Sequence, residues 1–280
     1  MSLTAQKSAN LLIVTDLDAT LLDHQTYSYK AAMPAIEQLK DRGCPIIFNS
    51  SKTRAEQALL RAELGLEAPF IVENGSAVIV PAGQLGERAE QVKVFGLAYA
   101  ELVAKLNELR SQQNYQFRGF SDLDAAELAE ITGLSLDRAS AAKQRSAAEP
   151  LEWQDSEAAY EQFVEEVTAL GLKTTQGGRF RHVMAHSDKG KALKWLTERY
   201  RAVFPQTQWT VVALGDSPND VPMLQAADIG VLIPNPHRAP FEISGVKHLV
   251  RPAAAGPAGW AEAIAHIFAF FNDGDHEKTA

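Results

Sequence analysis

The sequence predicts a three-layer α/β fold, a doubly wound parallel-sheet core with a smaller α/β domain inserted into it. Three observations predict it. Short apolar runs end in polar residues and are each followed by a helical pattern. Strands that alternate with helices in this way form a parallel sheet covered on both faces. The stretch from about Gln84 to Ala185 breaks the rhythm, being rich in Ala, Glu and Gln with weaker apolar runs. At 280 residues the chain is near the size at which one domain becomes two. The expected division is a core of residues 1–83 plus 186–280 and an inserted cap of residues 84–185.

The core strands come first. Leu11 to Val14 runs into Thr15-Asp16, Pro45 to Phe48 into Asn49-Ser50-Ser51, and Thr210 to Leu214 into Gly215-Asp216. Pro69 to Val72 and Ile229 to Ile233 are further candidates. Helices are expected over Pro34 to Arg42, with Gly43 as its stop, and over Thr53 to Leu64, stopping at Gly65. Another opens near Ser187-Asp188 and buries Ala192, Leu193, Leu196, Tyr200 and Val203 at helical spacing. The last runs from about Gly259 to Phe271. In the insert, strands are expected at Gln91 to Phe95, Leu151 to Gln154, Leu172 to Gln176 and Phe180 to Met184, the last two forming a hairpin through Gly177-Gly178. Arg138 to Ala148 reads as low complexity.

Composition narrows the functional classes. The hydrophobic content is 46% and the formal net charge −8, so a core can be buried and non-specific nucleic-acid binding, which needs a basic surface, is disfavoured. Cys44 is the only cysteine, which excludes an internal disulfide framework and fits a reducing, cytoplasmic setting. The apolar run after the polar first ten residues is too short for a signal-peptide core or a membrane span, so no membrane partner is expected.

Open parallel sheets bind ligands beyond the carboxyl ends of their strands, which is where Asp16, Ser50 and Asp216 fall. In Asp16-Leu17-Asp18-Ala19-Thr20, two carboxylates at a strand end can divide the work of nucleophile and proton donor for phosphoryl transfer. Taken alone, Asp-x-Asp is more often a helix cap. Gly215-Asp216-Ser217-Pro218-Asn219-Asp220 supplies further acids, although every residue in it is also turn-prone. Gathered in one crevice, Asp16, Asp18, Asp216 and Asp220 would repel by up to about 4 kcal/mol per pair at ~4 Å. A hard, oxygen-seeking ion such as Mg²⁺ answers that repulsion, and no cysteine or histidine cluster favours zinc. Ser50-Ser51-Lys52-Thr53 offers a hydroxyl, backbone N–H groups and a helix N-terminus to a phosphate oxygen, or an ordinary N-cap. Lys189 opens a helix, where a cation opposes the helix dipole unless it holds an anion.

In order along the chain, these four segments resemble the motifs of the haloacid dehalogenase-type phosphatase superfamily, and the resemblance spans the whole core. It implies that Asp16 attacks phosphorus, that Asp18 protonates the leaving alkoxide and then activates water, and that Ser50 and Lys189 complete the catalytic set. It also implies a Mg²⁺ site from the Asp16 carboxylate, the Asp18 carbonyl and Asp216, with Asp220 as ligand or close support. Ala19 departs from the pattern by standing where the family usually has glycine, so this turn either does not need positive φ or is strained. Placing the insert between the second and third motifs matches the Cof-type (class IIB) members, whose mobile α/β cap chooses the substrate.

Further strings, among them Phe70-Ile71-Val72-Glu73-Asn74-Gly75, Gly177-Gly178-Arg179-Phe180 and His182-Val183, look like the mannosyl-3-phosphoglycerate phosphatases. That likeness implies a small phosphorylated sugar or sugar-acid substrate. Its carboxylate needs cations, which Arg179 and Arg181 offer if they are not plain surface arginines. Ser51, Lys52, Asn74 and the Gly178 backbone complete the expected substrate contacts. A broader sugar-phosphate phosphatase (glucosyl-3-phosphoglycerate, sucrose or trehalose phosphate), a phosphomutase and a non-catalytic ligand-binding relative stay open, as does monomer against homodimer.

Overall fold

The computed structural model describes residues 10–177 and 179–273. By its internal contacts the chain divides into two units, Met1–Asn49 with Leu193–Ala280 and Ser50–Ala192. The first unit begins with β1 (Asn10–Thr15), α1 (Met33–Asp41) and β2 (Ile46–Phe48). The second holds α2 (Arg54–Leu64), β3 (Phe70–Val72), β4 (Ala77–Val80), β5 (Gln91–Val94), α3 (Tyr99–Gln113), β6 (Phe117–Gly119), α4 (Ala125–Thr132), α5 (Leu136–Lys143), β7 (Ala148–Trp153), α6 (Glu157–Ala169), β8 (Leu172–Gly177) and β9 (Phe180–Ala185). The first unit resumes within α7 (Lys189–Val203) and continues through β10 (Trp209–Gly215), α8 (Val221–Ala226), β11 (Ile229–Leu232), β12 (Leu249–Val250) and α9 (Gly256–Asp273).

The first unit is built on a five-stranded, all-parallel sheet in the order β12-β11-β10-β1-β2. Its interior strand β1 is buried from Leu11 to Thr15, with no polar alternation, because helices cover both faces of such a sheet. Pro34 in the first turn of α1 starts that helix where a missing N–H costs nothing. Ile36 and Leu39 of α1 and Trp260, Ile264 and Ile267 of α9 are buried, each such side chain contributing roughly 1.5–3 kcal/mol. The Arg42 guanidinium lies 4.0 Å from the centre of the Phe268 ring, closing the edge of that layer.

The second unit carries two antiparallel sheets, β3-β4-β5 and β6-β7-β9-β8. Leu102 and Leu106 of α3 and Phe163 and Val167 of α6 pack with Phe117, Leu151 and Val183 of the four-stranded sheet into one apolar core. A smaller cluster under α4 and α5 gathers Leu123, Leu128, Ala139 and Ala142. Thr53 and Asp124 each form a reciprocal capping box, with Glu56 and Glu127, which fixes where α2 and α4 begin.

One feature differs from the sequence expectation. Pro69 to Val72 forms β3, but it pairs antiparallel with β4, because the turn after Val72 reverses the chain. The compositionally biased stretch from Arg138 to Ala148 forms the body of α5 and reaches the start of β7. By internal contacts the second unit begins at Ser50, and β3 and β4 share a sheet with β5. Among the described residues, no helix is long and apolar enough to cross a membrane.

Candidate active site

In the first unit, the parallel register of β1 and β10 sets Thr15 opposite Leu214, and the Asp16 N–H donates to the Leu214 carbonyl at 2.9 Å. The two strands therefore end side by side, delivering Asp16 and Asp216 to the same edge of the sheet. Asp16, Asp216 and Asp220 each place a carboxylate oxygen within 4.8 Å of the others, and all three are buried. At that spacing their mutual repulsion is about 3 kcal/mol per pair in a partly screened interior.

Several groups are set against this repulsion. Thr20 Oγ1 donates to Asp216 Oδ1 at 2.9 Å, and Asn235 Nδ2 donates to Asp216 Oδ2 at 2.6 Å. Asp220 Oδ2 accepts from the Asp216 and Ser217 N–H groups, both at 3.0 Å, and from Ser217 Oγ at 2.8 Å. Gly215 permits this closure, since a Cβ there would lie 2.5 Å from the Asp220 Cβ. Below Asp16, Thr15 Oγ1 donates to the Asp16 carbonyl at 2.7 Å and accepts from Trp260 Nε1 at 3.0 Å, so the nucleophile candidate is braced by the last helix.

The cluster fits a hard divalent cation, because all three donors are carboxylate oxygens and, among the described residues, no cysteine or histidine joins them. Asp18 is half-buried, and its carboxylate is not one of the three clustered groups. A ligand role through its main-chain carbonyl does not require it to be. Ala19 has φ +60°, so the turn does need the left-handed conformation that alanine resists, at about 1–2 kcal/mol.

In the second unit, Ser50 is fully buried, its Oγ accepts from the Lys52 N–H at 3.3 Å, and its carbonyl accepts from the Asn74 N–H at 2.9 Å. Ser51 and Lys52 are half-buried, and Lys52 accepts through its carbonyl from the Glu73 N–H at 3.1 Å. Lys189 is fully buried, a placement that an ammonium tolerates only beside anionic or polar acceptors. Glu73, Asn74 and Gly75 form the turn between β3 and β4, all with positive φ (+52°, +58° and +87°). The buried Glu73 carboxylate accepts from the N–H groups of Ser146, Ala147 and Ala148 at 2.7, 3.0 and 2.8 Å. One strained turn thus ties together the Ser50 loop, the start of the Lys189 helix and the start of β7.

Arg179 and Arg181 are already engaged within their own unit. Arg179 Nη2 donates to the Thr132 carbonyl at 3.1 Å. Arg181 Nη2 pairs with Glu157 at 2.7 Å, and its guanidinium lies 3.7 Å from the centre of the Tyr160 ring. Gly178 lies outside the described residues. Thr20, Asn235, Trp260 and Glu73 were not singled out from the sequence, because the partner that gives each its role lies far along the chain.

A family model described as haloacid dehalogenase-like hydrolase matches residues 13–243. The chain belongs to that family. Among relatives of this hydrolase, the glucosyl-3-phosphoglycerate/mannosyl-3-phosphoglycerate phosphatase of Methanococcoides burtonii is 40% identical over 264 residues, covering 90% of this chain and 95% of its own. The protein of the same name from Persephonella marina is 36% identical over 266 residues, covering 92% and 97%. A Bacteroides thetaiotaomicron protein of the haloalkanoate enzyme superfamily, 20% identical, shares the fold at a TM-score of 0.65 over 96% of this chain and 98% of its own.

Proposed function

We propose that this haloacid dehalogenase-like enzyme, a phosphoric monoester hydrolase, is a Mg²⁺-dependent sugar-phosphate phosphatase that converts mannosyl-3-phosphoglycerate, or its glucosyl counterpart, to the glycosylglycerate and phosphate. The observation that carries the reading is the buried trio Asp16, Asp216 and Asp220 at adjoining strand ends, in a chain 40% identical to a phosphatase named for those two substrates. Asp16, Asp216 and Asp220, with the Asp18 carbonyl, hold the ion. When bound, Mg²⁺ supplies positive charge that offsets the carboxylates and the phosphoryl oxygens.

A carboxylate oxygen of Asp16 attacks phosphorus, and the bond from phosphorus to the sugar-acid oxygen breaks. Asp18 gives its proton to that leaving oxygen, so the alcohol departs neutral. Asp18, now ionised, takes a proton from water as the water oxygen attacks the aspartyl-phosphate, which releases phosphate and regenerates Asp16. Ser50 and Lys189 bind the phosphoryl oxygens, and Ser51, Lys52 and Asn74 contact the substrate. Residues 84–185 act as the cap that selects it, in a soluble cytoplasmic enzyme.

The reading is tested by phosphate release from mannosyl-3-phosphoglycerate, glucosyl-3-phosphoglycerate and sucrose phosphate, with and without Mg²⁺. Metal-dependent release from the two glycerate esters, lost in Asp16→Asn with the fold intact, is the expected result. Turnover by Asp16→Asn at the wild-type rate would exclude Asp16 as nucleophile.

A further inference from the structure

The first unit contains a cavity of about 440 Å³ at the carboxyl ends of β11 and β12, and Asp216 forms part of its wall. Its other walls are largely apolar, including Leu232 and Phe241, and two arginines, Arg238 and Arg251, open onto it. Neither guanidinium has a hydrogen-bond or ion-pair partner among the described residues. Both residues are exposed, so their guanidinia can reach a ligand that enters the cavity.

The loop that bears Arg238 is anchored to the acidic cluster. Asn235 donates to Asp216 through Nδ2, its Oδ1 accepts from the His237 N–H at 3.0 Å, and its carbonyl accepts from the Arg238 N–H at 3.2 Å. The His237 ring stacks on His24 with centroids 4.4 Å apart, which ties this loop to the segment following Asp18. A cavity of this size, with apolar walls and a few convergent polar groups, suits a small ligand. Two guanidinia on its wall add a preference for a carboxylate or second phosphate, which a guanidinium binds in a fork.

We propose that this cavity takes the carboxylate-bearing end of the phosphorylated substrate, held by Arg238 and Arg251 in place of the cap arginines. The inference rests on the sugar-phosphate phosphatase reading above. Arg179 and Arg181 are occupied inside their own unit, whereas Arg238 and Arg251 share a cavity wall with a ligand of the proposed metal.

The test compares the wild type with the Arg238→Ala/Arg251→Ala double variant on mannosyl-3-phosphoglycerate and on 4-nitrophenyl phosphate, which has no carboxylate. KM for the carboxylate substrate should rise roughly 10- to 100-fold, and by at least tenfold more than for the aryl phosphate. Equal losses on both substrates, or no change in KM, would overturn the assignment. If the wild type hydrolyses neither ester, the phosphatase reading has failed, and calorimetry with 3-phosphoglycerate and glycerol 3-phosphate decides the cavity separately. Wild-type preference for 3-phosphoglycerate that disappears in the double variant supports the site, and a preference retained in the variant rules it out.

Discussion

Gly75 passes so close to Asp188 that a Cβ on it would lie 2.2 Å from the Asp188 carbonyl oxygen and 2.7 Å from the Lys189 nitrogen. The turn between β3 and β4 therefore sets the backbone from which the buried Lys189 projects. Gly75→Ala combines a forced backbone shift with a left-handed φ of +87°, for an expected destabilisation of about 3 kcal/mol. Gly83→Ala is the control, since Gly83 has φ +84° with nothing within 4 Å of the added carbon. Its cost should be only the conformational part, about 1 kcal/mol. Urea unfolding of both variants checks the contrast, and equal midpoints would refute the close-approach argument.

Asp220 is expected to serve the metal site twice, as a ligand and by folding the turn that presents Asp216. Asp220→Asn keeps the shape, but its amide group turns a donor toward N–H groups or leaves them short of a charged acceptor. A loss of roughly 2 kcal/mol in stability should accompany a weaker Mg²⁺ requirement curve, shifted to higher metal concentration. A variant with wild-type activation by Mg²⁺ would show that the turn holds without the carboxylate.

Burial pushes the Glu149 carboxyl above its ordinary value of 4.5, against the hydrogen bonds from Ser121 and Tyr99 that favour its charge. The folded chain then keeps this proton over a range in which the unfolded chain has released it. Stability from this group is complete below about pH 4.5 and is lost as pH rises through the elevated folded value. Glu149→Gln has no proton to lose and still reaches Ser121 and Tyr99. Relative to wild type, the variant should gain stability as pH rises from about 4.5 to the elevated folded value and level off above it, read by urea titrations. A pH-independent difference between the two would contradict the assignment.

Ala19→Gly should change the unfolding free energy by less than about 1 kcal/mol. Relief of the φ +60° strain, about 1–2 kcal/mol, is offset by the loss of a buried methyl and the greater freedom of glycine in the unfolded chain. Turnover measured alongside tells whether the strained turn affects Asp18, which precedes it directly. A large stability change of either sign would mean that the alanine methyl or its strain has been misjudged.

The strand-end acids were legible in the sequence because a strand buried on both faces reads as an unbroken apolar run, and Leu11 to Val14 and Thr210 to Leu214 both do. Once the two runs are taken as neighbours, Asp16 and Asp216 must meet. Other elements left no such trace. Phe117–Gly119 and Leu249–Val250 are too short for any period, and Ala77–Val80 follows a three-residue turn whose reversal depends on positive φ at Glu73 and Asn74. Partnerships were hidden for the same reason. Nothing local in Arg181 announces Glu157 and Tyr160, and nothing in Asn235 announces Asp216.

The hydrogen bond between Thr15 and Trp260 joins residues 245 positions apart. During synthesis, the first strand leaves the ribosome with its β2 neighbour soon available, yet its β10 neighbour begins only at Trp209. For most of translation that apolar strand has an open side, a hazard for sticking to other nascent chains. Truncated products ending before β10 should therefore be recovered in inclusion bodies or bound to chaperones.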